Sequence, residues 1–117
     1  HAAARRPTWL YRLDMPRSAA PNAGYAVHGS ELPLMWDKVR DPQCAFLGPE
    51  GHAAEALSAR MHAHWVSFIR SGSPGAGWPL YRPDAPQTMV FAVEDSAVTR
   101  LDEDERRQWD GARFDFG

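Results

Sequence analysis

The stretch from Glu50 to Arg70 constrains this chain more than any other. Leu57, Met61, Trp65 and Phe68, with Ile69 alongside, recur at spacings of three and four. That is the period of a helix with one apolar face. Gly48-Pro49 opens the stretch, and Glu50 suits the positive end of a helix dipole. Gly72 closes it and Pro74 prevents continuation. Burying the face contributes several kcal/mol, at roughly 1.5–3 kcal/mol per large apolar side chain. Other elements must therefore cover it.

The remaining elements are shorter. From Thr8 to Met15, Trp9, Tyr11, Leu13 and Met15 alternate with Leu10, Arg12 and Asp14, the period of a strand. Pro16 to Gly24 reads as a loop. Glu31 to Val39 allows a short helical segment after Pro33, presenting Leu34, Met35 and Trp36, and Asp41-Pro42 ends it. Ser73 to Pro86 is irregular, with Trp78 and Tyr81 as anchors. Thr88 to Val93 and Ala97 to Leu101 form a hairpin around Glu94-Asp95-Ser96. Asp102 followed by Glu105 has the capping-box pattern, which starts a terminal helix through Trp109 that ends at Gly111.

The chemistry concentrates at Tyr25-Ala26-Val27-His28-Gly29-Ser30-Glu31-Leu32-Pro33. Gly24, Gly29 and Pro33 make this a loop. A histidine on a loop reaches outward and can carry protons near neutral pH. Nucleophilic catalysis with such a base also needs a nucleophile, a group that orients the histidine, and donors for an oxyanion. The Gly-x-Ser-x-Gly elbow is absent: Gly72-Ser73-Pro74-Gly75 is one residue short, and Glu31-Leu32 breaks the motif at Ser30. No glycine-rich oxyanion loop is present either.

The segment around His28 resembles the histidine motif of type B carboxylesterases, the cholinesterase-like branch of the α/β-hydrolases. That family carries a similar His-Gly-x-Glu-Leu/Ile-Pro run late in the chain. The likeness continues in order through Trp9-Leu10-Tyr11-Arg12-Leu13-Asp14, Leu57-Ser58-x-x-Met61-x-x-x-Trp65-x-x-Phe68, Ser71-Gly72-Ser73-Pro74, Trp78-Pro79-x-Tyr81, Met89-x-Phe91 and Glu105-Arg106-x-x-x-Trp109. The resemblance implies an α/β fold, as the C-terminal segment of an α/β-hydrolase comprising one unit over residues 1–117. It also implies a serine esterase without cofactor. His28 then corresponds to the catalytic base, with Gly29 and Glu31 in supporting roles. The family's orienting acid comes from an earlier loop, and its nucleophile precedes the histidine. The chain alone is thus expected to be inactive. The expected partner is the upstream portion of the same esterase, whose strands would pair with Trp9 to Asp14, or else a second copy of the chain. A small ester is the substrate only of the complete protein. The alternatives are a non-catalytic member of the fold, as in the family's adhesion-type proteins, and an independent α+β interaction module.

Composition excludes other classes. Net charge is −2 across 117 residues, with pI about 6.2, which gives no footprint for nucleic acid or an anionic membrane. No apolar run reaches the roughly 18 residues of a membrane span. The start at His1, without a signal core, reads as the edge of something longer. Cys44 is the only cysteine, a reduced interior or loop thiol. A cytoplasmic setting is expected, with secretion left open. His62 and His64 lie about 200° apart on a helix and cannot chelate one ion. His64 is expected to border the buried face and His62 to be exposed. His52 and Glu55 share a face but lack a third ligand, so no metal is expected. Arg106-Arg107 reads as a solvated helix face. The five tryptophans are spread along the chain and read as packing residues.

Overall fold

A computed structural model of the chain describes residues 6–18, 20–44 and 48–113. The elements are β1 (Tyr11–Leu13), α1 (Leu32–Met35), α2 (His52–Ser71), β2 (Gln87–Phe91), β3 (Ser96–Thr99) and α3 (Glu103–Arg107). Among the described residues the strands form one sheet in the order β1-β2-β3, so β2 is central. β1 runs parallel to β2 with Tyr11 opposite Met89 and Leu13 opposite Phe91. β2 and β3 are antiparallel, Thr88 facing Val98 and Val90 facing Ser96. β2 is buried from Thr88 to Phe91, as befits a strand flanked on both sides and covered by a helix. The ladder of β1 covers only part of the Thr8–Met15 alternation. Burial still follows that alternation: Trp9, Tyr11, Leu13 and Met15 turn inward, and Leu10, Arg12 and Asp14 outward.

The core lies between the sheet and α2. Leu34, Ala54, Leu57, Met61 and Phe91 are fully buried, and Met15, Trp78 and Met89 join them. The apolar stripe of α2 is as expected in register but is not uniformly covered. Leu57 and Met61 are sealed and Trp65 is half-buried, while Phe68 and Ile69 are 49% and 68% exposed. α2 starts two residues later than Gly48-Pro49 suggested. Gly51 occupies its N-cap at φ 91°, a region that side chains disfavour, and Glu55 is the acid of its first turn. Gly72 closes α2 in the left-handed conformation, its N–H donating to the Phe68 carbonyl, as the sequence suggests.

The expected capping box at Asp102 does not form. Asp102 precedes α3 at φ 51° without a side-chain capping bond. Its carboxylate accepts instead from Arg12 Nη1 at 2.8 and 3.1 Å, while Arg12 also pairs with Asp14. A charge-assisted bond to β1 wins over a local amide. α3 is shorter than expected, and a turn through Asp110 carries the chain to Gly111. Its Arg106 and Arg107 form a solvated face and pair with Glu103, Arg106 also with Asp110.

A candidate active-site histidine on a clamped turn

His28 sits at the corner of a turn. The Ser30 N–H donates to the Val27 carbonyl at 3.1 Å, and the Val27 N–H donates to Ser30 Oγ at 3.3 Å. Gly29 takes φ 83°, which a turn of this kind requires of its third residue. His28 is exposed and, among the described residues, makes no hydrogen bond through its side chain. The Leu32 N–H donates to the Gly29 carbonyl and the Met35 N–H to the Glu31 carbonyl, so the turn runs directly into α1.

Two side chains of α2 hold α1 in place. Ser58, fully buried, donates from Oγ to the Leu34 carbonyl at 2.9 Å and lies 3.3 Å from Asp37 Oδ1. His62 Nδ1 lies 2.9 Å from the Met35 carbonyl. A carbonyl only accepts, so Nδ1 carries the proton. His62 is thus half-buried rather than exposed, because an orphan carbonyl at the end of α1 draws its ring inward. His64 borders the buried face as expected. Its Nδ1 donates to the Pro74 carbonyl at 2.7 Å, and its ring meets Trp78 edge-on at 5.5 Å.

Glu31 is half-buried and not hydrogen-bonded to His28. Its charge falls on Tyr11, whose hydroxyl is pushed above its ordinary pKa first by burial and then by the Glu31 carboxylate. His28, Gly29 and Glu31 therefore share one loop, with His28 turned outward and Glu31 influencing the strand beneath. Among the described residues no group of three or more His, Cys, Asp or Glu side chains could hold a metal ion. His52 and Glu55 do not combine, since the Glu55 carboxylate is taken by Arg40 Nη2 at 2.8 Å and lowered in pKa by it. Cys44 is a free, half-buried thiol in a turn closed by its own N–H on the Asp41 carbonyl.

Dispersal of the tryptophans along the sequence conceals a convergence. Trp65 and Trp78 stand 5.4 Å apart, both against Tyr11 and Phe91, and Trp9 meets Phe68 at 5.9 Å. Trp9, Tyr11, Trp65, Phe68 and Trp78, with His64, line an open apolar cavity of about 300 Å³. No residue of the His28 turn lines it. Trp36 and Trp109 stay outside this cluster, 55% and 63% exposed.

The mixed sheet, the covering α2 and the histidine turn together make up a segment of the α/β-hydrolase fold. Solved structures agree. A PNB esterase superposes on 91% of the chain with a TM-score of 0.77 at 21% identity, using 22% of that esterase. The carboxylesterase of Geobacillus stearothermophilus covers 93% at a TM-score of 0.75 and 26% identity, using 23% of its own chain. An esterase from Clostridium hathewayi, described as able to hydrolyze aliphatic aromatic polyesters, covers 96% at a TM-score of 0.76 and 19% identity. In sequence, phenmedipham hydrolase of Pseudarthrobacter oxydans is 28% identical over 106 residues, 84% of this chain and 21% of that protein. No model of a known protein family matches the chain.

Within that fold the resemblance is to the type B carboxylesterases, and its extent agrees with a C-terminal portion of them. The chain spans about a fifth of the length of the relatives it matches. No described helix is long and apolar enough to cross a membrane.

Proposed function

We propose that this chain supplies the proton-carrying histidine of a serine carboxylesterase whose nucleophile, orienting acid and oxyanion donors lie on other polypeptide. The observation that carries this reading is the exposure of His28 at the corner of a fixed turn, within a chain that is carboxylesterase-like along most of its length. Its imidazole has no partner among the described residues, so both ring nitrogens are free for an orienting carboxylate and a serine hydroxyl. His28 takes the serine proton as the acyl carbon is attacked, then returns a proton to the leaving alcohol. Gly29 gives the turn its shape, and Glu31 supports it from the side of β1. The partner is the remaining portion of the same esterase, with residues 1–117 forming a C-terminal part of one hydrolase unit. The substrate of the assembled protein is a small carboxylic ester, and no cofactor enters the reaction.

The test is a chimera in which this chain replaces the matching fifth of phenmedipham hydrolase, assayed on an activated ester such as p-nitrophenyl acetate. The chimera is expected to hydrolyse the ester, and His28→Ala to lower kcat about 10³-fold or more. A folded chimera whose activity is indifferent to His28→Ala would sink the reading.

A further inference from the structure

Ser30 is fully buried, and a hydroxyl in such a place is costly unless it is hydrogen-bonded. Its Oγ accepts from the Val27 N–H at 3.3 Å, while its own N–H donates to the Val27 carbonyl at 3.1 Å. These two bonds span His28 and Gly29 and close the turn from both sides. The C-terminal side of the turn is itself fixed. A Cβ added at Gly48 would come within 3.1 Å of the Ser30 carbonyl oxygen and 3.3 Å of Pro33 Cγ, so the backbone of residue 48 lies directly against it. Pro33 and Leu34, which follow, are buried. His28 has no hydrogen bond of its own among the described residues, so the direction of its Cα–Cβ bond is set by this turn alone.

From this arrangement, and resting on the reading of His28 as the proton carrier, we infer that Ser30 is a positioning residue for His28. Its hydroxyl ties the half-buried Val27 to a residue locked in the interior, and this fixes the point on the turn from which the His28 side chain departs. Ser30 is not itself the nucleophile: its side chain is sealed from solvent and engaged with Val27. An alanine here keeps the Ser30 N–H bond and loses only the hydroxyl bond, leaving the Val27 N–H without its acceptor. Proton transfer depends on approach to within about 3 Å, so a looser turn lowers turnover more than binding.

The substitution Ser30→Ala in the chimera tests this. Its kcat should fall about tenfold or more, while KM stays within about twofold and the thermal midpoint is retained. Ser30→Thr, which keeps the hydroxyl, should restore kcat. In the chain alone, Ser30→Ala should speed hydrogen exchange of the Val27 amide about tenfold. The proposal is overturned by a kcat within about twofold of the parent chimera, by a change confined to KM, or by an unaltered Val27 amide. His28→Ala in the same background separates the two ideas. If it abolishes turnover while Ser30→Ala does not alter it, His28 keeps its role and Ser30 loses the one assigned here.

Discussion

At the scale of single residues, the chain shows how polar groups choose partners that a sequence pattern does not name. Asp102 stands where a helix cap belongs, yet its carboxylate goes to Arg12 on β1. His62 goes to the Met35 carbonyl and Ser58 to the Leu34 carbonyl, both serving the end of α1. Periodicity could not reveal these contacts, because each joins elements far apart in sequence. One signal was available for Ser58: Ala54, Leu57, Ser58 and Met61 share the buried face of α2, and a hydroxyl there needs an acceptor. Glu103 shows the electrostatic side. Its carboxyl is drawn down to about 2, chiefly by the hydrogen bond from Arg106 and then by that from Arg107. A carboxylate with a depressed folded pKa contributes stability above its unfolded value, near 4.5, and loses it as pH falls towards about 2. An NMR titration of the Glu103 carboxyl should thus have its midpoint near 2. The double substitution Arg106→Gln with Arg107→Gln should return it towards the ordinary glutamate range.

At the scale of elements, the strand and helix that carry strong periodicity were legible, and their ends were less so. The side of β1 that turns inward follows from its alternation, because burying one face of a strand fixes every second residue. The left-handed close of α2 at Gly72 follows from glycine's freedom there. The start of α2 is less legible because three residues before it, Gly48, Pro49 and Gly51, all suit a helix entrance. Of these Gly51 takes the cap, at φ 91°, while Gly48 packs against Ser30. The hairpin was legible, but its fastening was not. Arg60 on α2 grips Asp95 through Nε and Nη2 at 2.7 and 3.1 Å and donates to the carbonyls of Ala92 and Val93. Removal of this clamp by Arg60→Ala should cost about 1–2 kcal/mol, read as a lower midpoint in urea unfolding.

At the scale of the whole molecule, the sheet and α2 leave surfaces that the described residues do not cover. β1 has β2 on one side and no further described strand on the other. In a parallel ladder alternate residues bond to opposite neighbours; the Asp14 N–H and the Leu10 carbonyl serve β2, so the backbone N–H and C=O groups of Tyr11 and Leu13 point to the open edge. The aromatic cavity and the exposed Phe68 and Ile69 lie beyond the sealed part of α2. Such an edge and such apolar area favour association. In isolation the chain is therefore expected to self-associate at rising concentration in size-exclusion chromatography; a monomer at every concentration would argue against it. The histidine motif was visible in the sequence because its residues are contiguous. The packing that seals its far side was not, since Ser30 and Gly48 meet only in the fold.

Where His28 points once the rest of a hydrolase surrounds it decides whether it can carry the proton. A crystal structure of the phenmedipham hydrolase chimera measures this as the separation between the His28 imidazole and the nucleophilic serine hydroxyl. We expect a ring nitrogen within about 2.6–3.2 Å of the serine oxygen. An imidazole facing away from the serine, with the turn otherwise intact, would contradict the account.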